Sequence, residues 1–168
     1  VVGAEEADWI LHQAYAGWRI GAEAHTPQRT HFSDGAAALL LTARGEGPAI
    51  GRVEMENYRN VFQIPTALAR CLASASRENR TALLFSGAAD HRFQMLEQRA
   101  LQRAQVEPPQ RFSPRLVFGE ALAASTILTL ALAAHFLESE NLRQAALLPV
   151  IGYNGQVGAL RVDRTSLS

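Results

Sequence analysis

The chain has no lysine: all sixteen of its basic residues are arginine. That absence excludes a lysine nucleophile, a Schiff base with a carbonyl substrate and a Walker-type phosphate lysine. Cysteine is nearly as scarce. The single Cys71 excludes an internal disulfide and a cysteine-built zinc site. Net charge is zero, sixteen basic residues against sixteen acidic, so the electrostatic footprint of a nucleic-acid binder is not expected. His12, His25, His31 and His135 show no metal-ligand spacing, and neither a metal nor a cofactor is expected. The longest apolar run, residues 121–137, is interrupted by Ser125, Thr126, Thr129 and His135. It is at the short end for a membrane span and reads as a buried core helix. No signal peptide is visible, so a cytoplasmic location with no membrane partner is expected.

What is present is a core. With 168 residues, 48% of them hydrophobic and 19% charged, the composition suits a globular α/β chain of ordinary size. Residues 7–20 have helical spacing, with Trp9, Leu11, Tyr15 and Trp18 as packing positions. Residues 21–34 read as a loop. Residues 35–41 are short, apolar and bounded by turn signals, which predicts a strand turning through residues 44–48 into a hairpin partner over 49–56. Pro65 opens a helix over 65–76. A buried strand over 82–85 precedes an amphipathic helix over 90–105, whose packing positions are Phe93, Leu96, Ala100 and Leu101. Residues 115–118 read as a short strand before the tight Gly119 and a helix rich in small residues. Strands over 147–151 and 157–162 flank a turn over 152–156. This alternation implies a mixed sheet covered by helices on both faces.

Few residue groupings point to chemistry by themselves. Ser86 could act as a nucleophile, but Asp90 and His91 are its neighbours in sequence only, and no Ser-His-Asp arrangement is evident. Glu120 sits at a helix start, where the helix dipole stabilises a carboxylate, so a structural role is its default. Cys71, inside a helical stretch, reads as a small buried residue and not a reactive thiol.

Four segments, in order, resemble the C-terminal half of the β-ketoacyl synthases, which have the thiolase fold. The stretch His31-Phe32-Ser33-Asp34-Gly35-Ala36-Ala37-Ala38-Leu39 is similar to the opening strand of that half. Phe85-Ser86-Gly87-Ala88-Ala89-Asp90, followed by Glu97-Gln98-Arg99-Ala100-Leu101, resembles the family's His-Gly-Thr-Gly-Thr turn and the glutamate-bearing helix after it. The third segment is 114–137, and the fourth, Ile151-Gly152-Tyr153-Asn154-Gly155-Gln156-Val157-Gly158-Ala159-Leu160, resembles the glycine-rich hairpin that closes the fold. The resemblance implies a mixed five-stranded sheet covered by helices. It places the end of the N-terminal synthase half (last strand, helix and loop) in residues 1–30 and the C-terminal domain in residues 31–168. The opening Val1-Val2-Gly3-Ala4 reads as the end of a buried strand, and the expectation is a chain cut from something longer.

The departures from the pattern carry the functional expectation. The family's first catalytic histidine corresponds to Ser86, its second to Glu120, and its lysine to Arg115. Cys71 does not match the nucleophile's motif. Condensation needs two neutral donors at the thioester oxygen of the malonyl group, and losing one such donor typically costs about 10²–10³ in rate. The resemblance therefore implies a non-catalytic partner, similar to chain-length factors, that forms a heterodimer with an active ketosynthase. It would shape the acyl tunnel in polyketide or fatty-acid-type biosynthesis. Gly152, Tyr153 and Ala124 are its expected tunnel-lining residues, and acyl carrier protein with its acyl chain a further partner. Two alternatives stand beside it. One is the C-terminal part of a ketosynthase-like acyltransferase whose cysteine lies in a missing N-terminal half. The other is a ligand-binding module of thiolase type.

Overall fold

The structure is a computed structural model and describes residues 2–5, 35–43, 47–76, 83–88, 91–119, 123–139, 145–152 and 155–164. The expected helix over 7–20 and loop over 21–34 lie outside these residues. The strands are β1 (Val2–Glu5), β2 (Gly35–Ala38), β3 (Pro48–Asn57), β4 (Leu83–Phe85), β5 (Arg111–Phe112), β6 (Ala146–Ile151) and β7 (Gln156–Arg164). The helices are α1 (Ile64–Ala75), α2 (His91–Ala104), α3 (Pro114–Phe118) and α4 (Ala123–Ser139).

Five strands form one sheet in the order β3-β7-β6-β4-β5. Strand β4 is parallel to both β5 and β6, whereas β7 runs antiparallel to β6 and β3. The period of two decides which side chains go where. Leu84 and Leu147 point into a cluster with Leu68, Leu72, Leu96 and Leu101 of α1 and α2. Their neighbours Leu83, Phe85, Ala146 and Leu148 point the other way, against Ala133 and Leu137 of α4. Strands covered on both faces must be apolar at every position, which is why β4 and β6 read as unbroken apolar runs. This is the mixed five-stranded α/β sheet of the thiolase and β-ketoacyl-synthase architecture.

Strands β1 and β2 form a separate antiparallel pair, Val2 opposite Ala38. Helix α4 touches this pair as well as the large sheet. A helix between two sheets has no side left for a polar stripe, and α4 is apolar around its circumference. The expected hairpin between residues 35–41 and 49–56 is not formed. Strand β2 pairs with β1, and β3 pairs with β7. The glycine and proline between them mark a turn, but a turn does not choose the partner strand.

Residues 115–118, expected as a strand, form helix α3 instead. Pro114 presets the first turn, and the Leu116 N–H donates to the Ser113 carbonyl at 3.1 Å. Gly119, at φ 82°, stops the helix after five residues. The strand at this edge is Arg111–Phe112, one hydrogen-bonded step earlier. Helix α1 starts where expected, with Pro65 in its first turn. Helix α2 ends at Gln105, which takes the left-handed conformation (φ 55°) usually filled by glycine. The Val106 N–H then closes back on the Leu101 carbonyl at 3.0 Å.

Candidate functional site

Where β4 ends, the chain turns through Ser86, Gly87 and Ala88 towards α2. The turn is held down on the sheet, because a Cβ on Gly87 would lie 2.2 Å from the Pro149 carbonyl oxygen of β6. The Ser86 N–H still reaches the Phe112 carbonyl of β5, at 2.7 Å. Beyond it, the N–H groups of Gly87 and Ala88 have left the ladder and need acceptors. Glu97 and Ser86 provide them. The Gly87 N–H donates to Glu97 Oε2 at 3.2 Å, and the Ala88 N–H donates to Ser86 Oγ at 3.2 Å. The Ser86 hydroxyl in turn donates to Glu97 Oε2 at 3.1 Å.

Both side chains are buried, Ser86 at 4% and Glu97 at 5% exposure. Burial pushes the Glu97 carboxyl up to about 7, against the Ser86 and Gly87 hydrogen bonds and the charges of Arg111 and Arg115, which pull it down. Arg115 belongs to this cluster. It is buried on α3 and donates from Nη2 to Thr126 Oγ1 of α4 at 3.2 Å, tying the two helices. Of the three positions that the resemblance matches to catalytic residues, Ser86 hydrogen-bonds the Glu97 carboxyl and Arg115 acts on it through its charge. Glu120 lies outside the described residues. The Ser86 hydroxyl points to Glu97, while His91 is exposed at the start of α2. Asp90 is also outside the described residues.

Glu97 was not singled out as a site residue from the sequence, although a signal for it exists. It is the one acid of α2 and lies on the face of Phe93, Ala100 and Leu101, four residues from both Phe93 and Leu101. Tyr58 was missed as well. Its hydroxyl donates to the Gly152 carbonyl at 2.6 Å, and its N–H donates to the Gly155 carbonyl at 2.7 Å. Burial raises its phenol above the ordinary value. The Gly152 N–H closes on the Gln156 carbonyl at 2.8 Å, so Gly152 is the base of the β6–β7 turn, clamped by Tyr58. Tyr153 lies outside the described residues. Ala124 is buried in the first turn of α4.

Cys71 is on the buried face of α1, and burial, followed by the charges of Glu56 and Glu54, pushes its thiol up to about 11. Such a thiol is inert at neutral pH. Among the described residues no group of three histidine, cysteine or acidic side chains is placed to hold a metal ion. None of their helices is long and apolar enough to cross a membrane.

No family model and no curated protein matches the chain. Solved structures do. A chain of the ishigamide ketosynthase/chain length factor is 17% identical with a TM-score of 0.62, over 99% of this chain and 49% of that one. A chain of a type II PKS acyl-carrier protein in complex with its ketosynthase bound to the hexaketide is 14% identical, with a TM-score of 0.60, over 69% of this chain and 33% of that one. The thiolase Acat5 from Ascaris suum, in complex with coenzyme A, is 11% identical with a TM-score of 0.53, over 71% and 31%. The chain thus spans about half or less of the chains it matches, and its fold is the one shared by ketosynthase, chain-length-factor and thiolase chains.

Proposed function

We propose that the chain is a non-catalytic β-ketoacyl-synthase-like subunit or domain. It pairs with an active ketosynthase and shapes the acyl tunnel in polyketide or fatty-acid-type biosynthesis. The observation that carries this reading is the Ser86–Glu97 hydrogen bond. At the position matched to a catalytic histidine stands a hydroxyl that is buried, accepts from a backbone N–H and gives its proton to a carboxyl. It has no donor to offer a developing oxyanion. The inert, core-bound Cys71 supports the same reading, since it leaves no thiol in this chain for acyl transfer. In this reading the tunnel function is steric, set by small side chains such as Ala124 near the start of α4 and by the Gly152 turn with Tyr153.

The native mass of the assembly isolated from its source, with denaturing mass spectrometry of its chains, tests the proposal. A second, synthase-like chain beside this sequence is the expected result. This chain alone, folded at unit or doubled mass, would sink the partner reading and favour a ligand-binding module. Within an intact complex, Ala124→Phe is expected to shorten the product, and an unchanged product length counts against the tunnel role.

A second reading is favoured by the chain's spanning 49% of the matched ketosynthase/chain-length-factor chain. In it, the sequence is the C-terminal part of an acyltransferase whose cysteine lies in the other half. A thiol-directed acyl analogue that labels a longer parent polypeptide, and not a separate partner, would select this reading.

A further inference from the structure

We propose that the solvent face of α2 is a docking surface for an acidic segment of another protein. The exposed residues of this helix are His91, Arg92, Met95, Gln98, Arg99, Gln102 and Arg103, and none of them is acidic. Its only carboxylate, Glu97, is turned into the core. Arg92, Arg99 and Arg103 are spaced seven and four residues apart, so they form one stripe about 40° wide around the helix axis. The line is about 16 Å long at the helical rise per residue.

Charge is thus segregated on a chain whose net charge is zero. Helix α1, packed beside α2, contributes no acid, and its Arg70 is already joined to Glu56 of β3. The Arg103 guanidinium hydrogen-bonds the Thr66 hydroxyl of α1, which leaves its charge uncompensated and fixes it at the α1–α2 border. Among the described residues Arg92 and Arg99 form no ion pair.

The composition of the face identifies the partner's class. Three arginines beside Gln98, Gln102 and Met95, itself 40% exposed, are the mixture of charge, hydrogen bonding and soft apolar contact found in protein interfaces. A nucleic-acid site would call for a more extended basic surface on a basic chain, and a membrane site for large apolar residues next to the arginines. The line instead matches a helix or extended segment presenting Asp or Glu at similar intervals, read by bidentate arginine–carboxylate pairs. This inference does not depend on the tunnel-shaping role.

Fluorescence anisotropy tests it, using the whole chain and a labelled oligo-glutamate peptide long enough to span the line. The peptide should bind, and the affinity should fall as salt rises. Replacing all three residues (Arg92→Gln, Arg99→Gln and Arg103→Gln) should weaken binding about tenfold, from modest exposed contacts acting together. Arg52→Gln, on β3, should leave it unchanged. All four side chains are exposed, so the variants should melt like the parent protein. Equal binding by the triple variant overturns the proposal. So does tighter binding, in the same buffer, to random-sequence duplex DNA or to phosphatidylglycerol vesicles.

Discussion

Glu97→Gln should make the protein more stable, by a margin that grows as pH rises through the window between the unfolded and the native ionisation of this carboxyl. In the folded chain this carboxyl keeps its proton until about pH 7. In the unfolded chain it releases the proton near pH 4.3. Between those limits the native state binds more protons than the unfolded state, so stability falls as pH rises, and it levels off above about pH 7. At 1.36 kcal/mol per pH unit of separation, the cost of carrying the ionised carboxylate in the native core is on the order of 4 kcal/mol. Glutamine is neutral throughout. Its amide oxygen can accept from the Ser86 hydroxyl and the Gly87 N–H as Oε2 does, so the hydrogen bonds survive while the cost disappears. Urea unfolding followed by far-ultraviolet circular dichroism should show near equality at about pH 4 and a gain of roughly 4 kcal/mol for the variant at about pH 8. A variant less stable than the parent at about pH 8 would refute the reasoning. It would mean that the pull of Arg111 and Arg115 outweighs burial and that Glu97 is an ordinary ionised partner.

Three further outcomes follow from single positions. Gly87→Ala should cost about 2–4 kcal/mol, because its Cβ would collide with a backbone oxygen that cannot swing aside; an unchanged melting temperature would contradict the close approach to Pro149. Gln105→Gly should gain about 0.5–1 kcal/mol by relieving a left-handed residue at the end of α2, read as a rise in melting temperature. Cys71 should resist a disulfide reagent at neutral pH in the native protein and react at once in denaturant; equal rates in the two states would show that the thiol is neither buried nor held protonated.

The parts of the fold that the sequence made legible are those fixed by local rules or by complete burial. Strands β4 and β6 stood out because both their faces are covered, and α1 because Pro65 marks its start. The misread elements failed where a local pattern was overruled. Leu116-Val117-Phe118 looks like a strand by composition, yet Pro114 and Gly119 bracket a single helical turn that leaves all three side chains exposed. Strand β2 carries turn signals on its C-terminal side, but its partner is β1, across a long stretch of sequence. The site was half legible. A lone glutamate on an apolar helical face announces a buried carboxyl, but only the fold reveals that its partner is Ser86, eleven residues earlier. The Tyr58–Gly152 clamp joins residues 94 positions apart, and no periodicity reports it.

The polar cluster at the end of β4 also follows from how the sheet terminates there. The β4–β6 ladder ends at Leu84 and Leu147, two residues before Pro149. A proline is tolerated in this central strand because its missing N–H falls where no β4 partner remains to accept from it. Its carbonyl remains, and Gly87 passes so close to it that no side chain fits between them. That close passage turns the N–H groups of Gly87 and Ala88 away from the sheet and into a dry region, where leaving either unpaired would cost about 1–3 kcal/mol. Ser86 and Glu97 are the acceptors within reach, and each is committed by that need. The same bonds that complete the backbone accounting therefore withdraw the Ser86 hydroxyl from chemistry. Replacing Ser86 with histidine alone would introduce a ring without freeing the carboxyl that now anchors the turn.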